Sequence, residues 1–320
     1  MVYSSTKRNG FLLIAIAVAV AITVTLVISL SNPKESSRSA RKSGPSITVP
    51  SNQANNQWFR DGVKLVKEKL KRKPITHTAK NTILFLGDGM SITTVTAARI
   101  LAGQMMNQSG EENVLSWEHF PWTALSKTYN VNQQVPDSAG TATAYLDGVK
   151  TNGGLVGVDE NVKLGYCSTL HEHNKVISIL TLAEQAGMST GFVTTARATH
   201  ATPSCLYAHS PDRGWESDRD VMREAKDDAS NCTDIALQLL EYPYGDGIEV
   251  IFAGGRREFT PNNETDPEYP AYKGERLDGR NLIQEWVDKH PNSQYVWNKT
   301  GFDQIDVEKV DHVIGWLLTT

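Results

Sequence analysis

Cysteine is scarce in this chain. Cys167, Cys205 and Cys232 are an odd number, so at most one internal bridge forms and one thiol is left over. Basic charge is not in excess either: 32 Lys and Arg stand against 36 Asp and Glu, a net charge of -4, which offers no positive field for nucleic acid and sets that partner aside. What remains is an ordinary globular balance, 39% hydrophobic and 21% charged. The 320 residues have room for two domains, or for one α/β core with insertions.

Long hydrophobic runs are also missing, with one exception. Residues 11–30 read Phe-Leu-Leu-Ile-Ala-Ile-Ala-Val-Ala-Val-Ala-Ile-Thr-Val-Thr-Leu-Val-Ile-Ser-Leu without a charge, and as a helix they are long enough to cross a bilayer of about 30 Å. The run exceeds the apolar core of a cleaved signal and no clear cleavage site follows, so the expectation is an uncleaved signal anchor, with a cleaved signal as the alternative. Lys7 and Arg8 before it against Lys34, Arg38, Arg41 and Lys42 after it would by charge alone keep the bulk of the chain in the cytoplasm. Four glycosylation sequons, at Asn107, Asn231, Asn263 and Asn298, argue for the lumenal or extracellular side, and a long domain is translocated largely regardless of flanking charge. Residues 31–56, rich in Ser, Asn, Pro and Lys or Arg, read as a flexible stalk, leaving 57–320 as the globular part.

Beyond the stalk the pattern is that of an α/β sheet protein with loops gathered at one edge. Trp58, Val63, Leu65, Val66 and Leu70 space a surface helix that ends near Lys73-Pro74. Thr82-Ile83-Leu84-Phe85-Leu86 is an apolar run of strand length, expected to be buried on both faces of a parallel sheet, and it stops at Gly87-Asp88-Gly89 with the acid at the strand's carboxyl end, where ligands collect. A helix follows from about 93 to 102. The segment Asp137-Ser138-Ala139-Gly140-Thr141-Ala142 opens another helix, whose free first-turn N–H groups would favour an anion beside the Ser138 hydroxyl; a plain capping serine is the competing explanation. Residues 176–186 are expected to be helical and Gly191-Phe192-Val193 to head a strand. In the loop from Thr194, His200 and Thr202 stand two apart, so extended backbone would point both the same way. Arg213 could fork onto phosphate or lie on Trp215 as a surface charge. Ile248 to Phe252, followed by Ala253-Gly254-Gly255-Arg256, repeats the layout of strand then glycine.

Five motifs in order, T-I-L-F-L-G-D-G-M, P-D-S-A-G-T-A-T-A-Y-L, T-T-A-R-A-T-H-A-T-P, Y-A-H-S-P-D-R-G-W and F-A-G-G-R-R, together with D-P-E-Y-P and R-L-D-G-R-N-L-I-Q-E-W-V, resemble the alkaline phosphatase family of animal type over residues 54–316. The resemblance implies a three-layer α/β sandwich with a largely parallel central sheet, and a metal-dependent hydrolase of phosphate monoesters working through a phosphoserine. Carried residue by residue, it makes Ser138 the nucleophile and a zinc ligand, Asp88 a bridge between zinc and magnesium, Thr202 a magnesium ligand, His200 a neighbour of that magnesium through water, and Arg213 the clamp on phosphate oxygens. Two zinc ions and one magnesium ion are the cofactors it implies, a homodimer the assembly, the plasma membrane with an extracellular domain the location, and Cys167–Cys232 the bridge, with Cys205 free.

There are departures. Gly140 and Asp147 stand where relatives have Ala and, in vertebrate forms, Cys; neither position is expected to carry chemistry. The family's remaining zinc and magnesium ligands belong to a part that Gly315-Trp316-Leu317-Leu318-Thr319-Thr320 does not reach, and Asp311-His312 does not match its later metal pair. The expectation is therefore a C-terminally truncated form with an incomplete core that shows apolar surface, no hydrophobic tail for a GPI anchor, and the N-terminal run as its only tether. A catalytically silent, membrane-tethered glycoprotein is the alternative to an active phosphatase.

Overall fold

A computed structural model describes residues 48–318. The chain divides into two compact units between Ala79 and Lys80. In the first, after a helical turn at Ser51–Ala54, helix α1 spans Gln57–Lys71; Asn56 caps it by accepting from the Trp58 N–H, and Lys69 and Lys71 close its last turn, where cations suit the dipole. None of its residues is buried, in keeping with the surface helix expected from its spacing. Residues 11–30 lie outside the described residues, and among those described no helix is long and apolar enough to cross a membrane.

The second unit is an α/β structure. Its elements run α2 (Ile92–Met105), α3 (Ser138–Leu146), α4 (Ile179–Gln185), β1 (Gly191–Arg197), α5 (Ala201–Ser204), α6 (Asp218–Glu224), α7 (Ile235–Leu240), β2 (Val250–Gly254), α8 (Leu282–Lys289), β3 (Ser293–Val296), α9 (Lys299–Asp303) and β4 (His312–Leu318). The strands form one sheet in the order β1-β2-β4-β3, and every pairing is parallel. Phe192 stands opposite Ile251, and Ile251 opposite Ile314. Helical crossovers are what parallel neighbours require, since a tight turn cannot return the chain to the same end of the sheet.

The core sits where these crossovers cover the strands. Ile251 and Trp316 are 0% exposed and join Ala139, Leu146, Leu180, Ile235 and Trp286 in one apolar cluster. Phe259 packs on Trp316 with ring centroids 4.5 Å apart. Gly315 permits a close approach: a Cβ there would lie 2.3 Å from Cδ1 of Phe252 on the neighbouring strand. Two arginines are buried with their charges matched. Arg276 donates to Asp234 at 2.9 and 3.2 Å and to Asp278 at 2.5 Å, and Arg256 donates to Asp266 at 2.7 Å and to the Trp316 carbonyl at 3.0 Å. Cys167 and Cys232 are bridged, with Cα atoms 5.6 Å apart, and Cys205 is free and buried, as the family resemblance implied.

The structure corrects several expectations. The run 82–86 is not a strand: it pairs with none of the four, and Ile83 and Phe85 are 77% and 83% exposed. Apolar composition supplies the propensity, but a strand exists only where a neighbouring backbone offers its N–H and C=O groups. Helix α4 begins at Ile179, because the Ser178 hydroxyl caps it by accepting from the Thr181 N–H, so 176–178 stay outside. β1 runs on through Thr194 to Arg197, and Thr202 lies on the short helix α5, not on extended backbone. Pro203 is tolerated in that first turn because its missing N–H would have no acceptor within the helix.

Candidate active site

Four segments far apart in sequence meet at the start of α3. The helix is capped by Asp137, whose carboxylate accepts from the Ala139 N–H at 3.2 Å and the Gly140 N–H at 3.1 Å. Capping thus falls to Asp137 and leaves the Ser138 hydroxyl for another partner, which disposes of the capping explanation for that serine. It also corrects the expectation of free first-turn N–H groups, since two of them are taken by the cap.

Ser138 Oγ donates to Asp88 Oδ1 at 3.0 Å, and Thr202 Oγ1 donates to Asp88 Oδ2 at 3.1 Å. Asp88 therefore joins two hydroxyls separated from it by 50 and 114 residues. Arg213 donates from NH1 to Asp137 Oδ2 at 3.1 Å, while its NH2 lies 3.3 Å from His200 Nε2. Its backbone N–H is held by the Gly154 carbonyl at 2.8 Å. All five residues singled out from the sequence, Asp88, Ser138, His200, Thr202 and Arg213, are thus joined through direct contacts or through Asp137.

The electrostatics follow from this packing. Burial pushes the Asp137 carboxyl up, but hydrogen bonds from the backbone N–H groups of Gly140 and Gly154, from Asn130 and from Arg213 outweigh it and hold the group below its ordinary value. Burial, followed by the nearby Arg213 and Arg197 charges, lowers His200, favouring neutral imidazole. With Nε2 facing the permanent donor Arg213, the proton belongs on Nδ1, which is buried and has no partner. Beneath the helix, burial raises the Cys205 thiol to about 12. Asp147, at the other end of α3, has both carboxylate oxygens buried without a partner, and burial raises it to about 8.

Sequence reasoning missed two supporting groups. Glu216 accepts from Arg197 Nε at 2.7 Å and NH2 at 2.5 Å, and also from the Thr199 hydroxyl, so it ties down the turn that carries His200. Asn130 donates to Asp137 at 2.9 Å. No local signal announces either, because a polar residue many positions away from its partner looks like any surface residue. His209 is structural: its Nδ1 is 2.6 Å from the Gly157 carbonyl.

A serine at the head of a helix, hydrogen-bonded to an acid and flanked by an arginine, on a parallel α/β scaffold, defines a class of candidate phosphate-ester hydrolases. The family model for alkaline phosphatase matches residues 79–318. The mouse tissue-nonspecific isozyme of alkaline phosphatase is 49% identical over 265 residues, covering 81% of this chain and 50% of that protein. The human isozyme is 47% identical over 278 residues, covering 83% and 52%, and an alkaline phosphatase of Gadus morhua is 51% identical over 243 residues, covering 74% and 50%. Among solved structures, a cold-active alkaline phosphatase from Shewanella sp. shares the fold with a TM-score of 0.50 at 24% identity, over 73% of this chain and 44% of that one. The chain belongs to the alkaline phosphatase family, and it spans about half the length of the curated relatives it matches.

Proposed function

We propose that this chain carries the nucleophile and the phosphate clamp of a phosphate-monoester hydrolase, and that it forms a phosphoserine on Ser138. The observation that carries this reading is the Ser138 hydroxyl donating to Asp88 at 3.0 Å, with Arg213 held beside it by Asp137. Arg213 draws the phosphate oxygens of the ester over Ser138, a charge-assisted fork that also balances charge building up in the transition state. Ser138 Oγ bonds to phosphorus as its proton passes to Asp88. The bond from phosphorus to the ester oxygen breaks, and the alcohol leaves with a proton from solvent. Water then attacks phosphorus, the bond from phosphorus to Ser138 Oγ breaks as Asp88 returns its proton to that oxygen, and the water gives up a proton to solvent, freeing phosphate and restoring the hydroxyl and the Asp88 carboxylate.

The oxygen donors Asp88 and Thr202, already joined at 3.1 Å, suit magnesium, which takes one or two carboxylates and keeps several waters. When bound, the ion supplies positive charge beside the reacting phosphate. Zinc is a different matter. Each of the two zinc sites that the family resemblance implies takes about four ligands, yet among the described residues no three His, Cys, Asp or Glu side chains converge. The residues here do not complete either site, so no step is derived through zinc.

That ligand shortage is also the observation favouring the second reading, a catalytically silent glycoprotein that keeps this half of the fold. One experiment separates them. The 320-residue chain should hydrolyse 4-nitrophenyl phosphate at alkaline pH feebly or not at all. A version completed with the uncovered half of the mouse relative should be active and should lose at least about a thousandfold on Ser138→Ala, but less on Arg213→Ala. Zinc-dependent, Ser138-dependent turnover by the short chain at the completed version's rate would overturn the ligand-count argument. A completed version indifferent to Ser138→Ala would overturn the nucleophile assignment.

The same reading makes residues 11–30 a membrane anchor, 31–56 a stalk and 57–320 an extracellular domain at the plasma membrane, glycosylated at Asn107, Asn231, Asn263 and Asn298 and paired as a homodimer. A fall in apparent mass on endoglycosidase treatment of the chain expressed in animal cells is expected. An unchanged mass counts against this topology.

A further inference from the structure

We infer that Asn130 is a positioning residue for the phosphate clamp: it fixes the Asp137 carboxylate that holds Arg213, and it can do so only because residue 140 is glycine. Asn130 is 2% exposed, and its amide Nδ2 donates to Asp137 Oδ1 at 2.9 Å. The other carboxylate oxygen accepts from Arg213 NH1 at 3.1 Å, so the two contacts lie on opposite oxygens of one group. Asn130 is itself held rigidly: its N–H donates to the Gln133 carbonyl at 3.0 Å, its carbonyl accepts from the Gln133 N–H at 3.3 Å, and the Val131 N–H donates to Thr151 at 2.9 Å. Its side-chain oxygen is buried with no partner. An unsatisfied acceptor is unfavourable, and the arrangement is held because turning the amide over would set that oxygen against the Asp137 carboxylate.

Gly140 is the other half of the device. A Cβ at that position would lie 2.3 Å from Asn130 Oδ1 and 2.7 Å from its Cγ, closer than any real contact. Gly140 also donates its N–H to Asp137 Oδ1, so the same residue caps the helix and clears the space for the asparagine that steadies the cap. An alanine at 140 would push Asn130 off Asp137 while leaving Ser138, Asp88 and Arg213 unaltered. The glycine is then a permissive residue for the clamp and not a neutral replacement.

This inference rests on the reading of Arg213 as the phosphate clamp, and the test separates the two. Inorganic phosphate is titrated into the full 320-residue chain and followed by phosphorus NMR. Asn130→Ala and Gly140→Ala should each weaken binding by about three- to tenfold, and Asn130→Ala should add almost nothing in an Arg213→Ala background, because a residue acting through another falls silent once that other is gone. Equal losses from Asn130→Ala in both backgrounds, or no loss in either, would overturn the positioning role. If the unaltered chain binds no phosphate, the clamp reading fails, and the exchange rate of the Arg213 Nε–H then decides on Asn130. Faster exchange in Asn130→Ala supports the restraint and an unchanged rate rejects it. Should Asn130→Ala not fold, Gly140→Ala, measured with and without Arg213→Ala, carries the same comparison.

Discussion

Residues 82–86 and strand β2 are chemically close, Thr-Ile-Leu-Phe-Leu against Val-Ile-Phe-Ala-Gly, yet only the second is built into the sheet. β2 lies between β1 and β4 and finds parallel partners on both sides, and Ile251 in its middle is fully buried. The run 82–86 has the apolar content of a central strand and pairs with none of the four. Even so, the residue two places beyond it, Asp88, is anchored by Ser138 and Thr202. What separates the regions is the supply of backbone partners, not residue type. In a parallel sheet those partners always come from distant sequence.

The contrast can be broken or sharpened by measurement. The largest effect is expected in β2: Ile251→Ala should cost about 2–5 kcal/mol by urea denaturation, as truncations that leave a cavity do. Phe85→Ala should stay within about 0.5 kcal/mol, as at exposed positions. Equal costs would mean that the run is packed in solution and that the comparison is wrong. Glycines extend the same test. Gly315→Ala drives a methyl into Phe252 across the sheet and should cost about 1–3 kcal/mol. At Gly87→Ala the new methyl would lie 2.7 Å from Met90 Cβ, which no side-chain rotation moves, so the exposed turn must shift and a cost of about 1 kcal/mol is expected.

A subtler test concerns pH on the packed side of the molecule. Asp147 is raised to about 8 by burial, well above its unfolded value near 4. Below pH 4 it is protonated in both states and costs nothing. Between pH 4 and 8 the unfolded chain releases the proton more readily, so stability falls as pH rises through that window and levels off above it. Asp147→Asn should therefore leave stability at pH 4 almost unchanged and raise it at pH 9 by up to about 5 kcal/mol, at about 1.4 kcal/mol for each pH unit of that window, read as a shift in denaturation midpoint. A variant no more stable than the parent at pH 9 would show that the carboxyl reaches water. The smallest effect is a rate: backbone hydrogen exchange should be slow in β2 and near the unprotected rate over 82–86.

How much was legible in the sequence depended on how far each feature reaches along the chain. Helix α1 could be read from the spacing of Trp58, Val63, Val66 and Leu70, and a helix was expected over 176–186 where α4 stands, because helical hydrogen bonds close within four residues. The start of α4 was missed by three residues because the Ser178 cap, though local, competes with neighbouring polar residues that look equally suitable. Asp88, Ser138, His200, Thr202 and Arg213 were legible one at a time, through motif and residue chemistry.

The sequence by itself determined the residue chemistry of this protein: a serine, acids, a histidine and an arginine in recognisable order, and three cysteines that allow one bridge. Only the tertiary structure decided that Asp137, and not Ser138, caps α3, that one carboxylate of Asp88 joins two hydroxyls, and that Asn130 reaches Asp137 through the space left at Gly140. It also decided that 82–86, a strand by composition, pairs with no strand among the described residues. For Asp88 and for 82–86 the reason is distance: propensity and residue type are properties of a few neighbouring positions, whereas a hydrogen-bond partner or a ladder neighbour comes from chain tens of residues away. Asp137 and Asn130 find their partners within ten residues, but several nearby polar groups could serve, and only the folded backbone aims one of them.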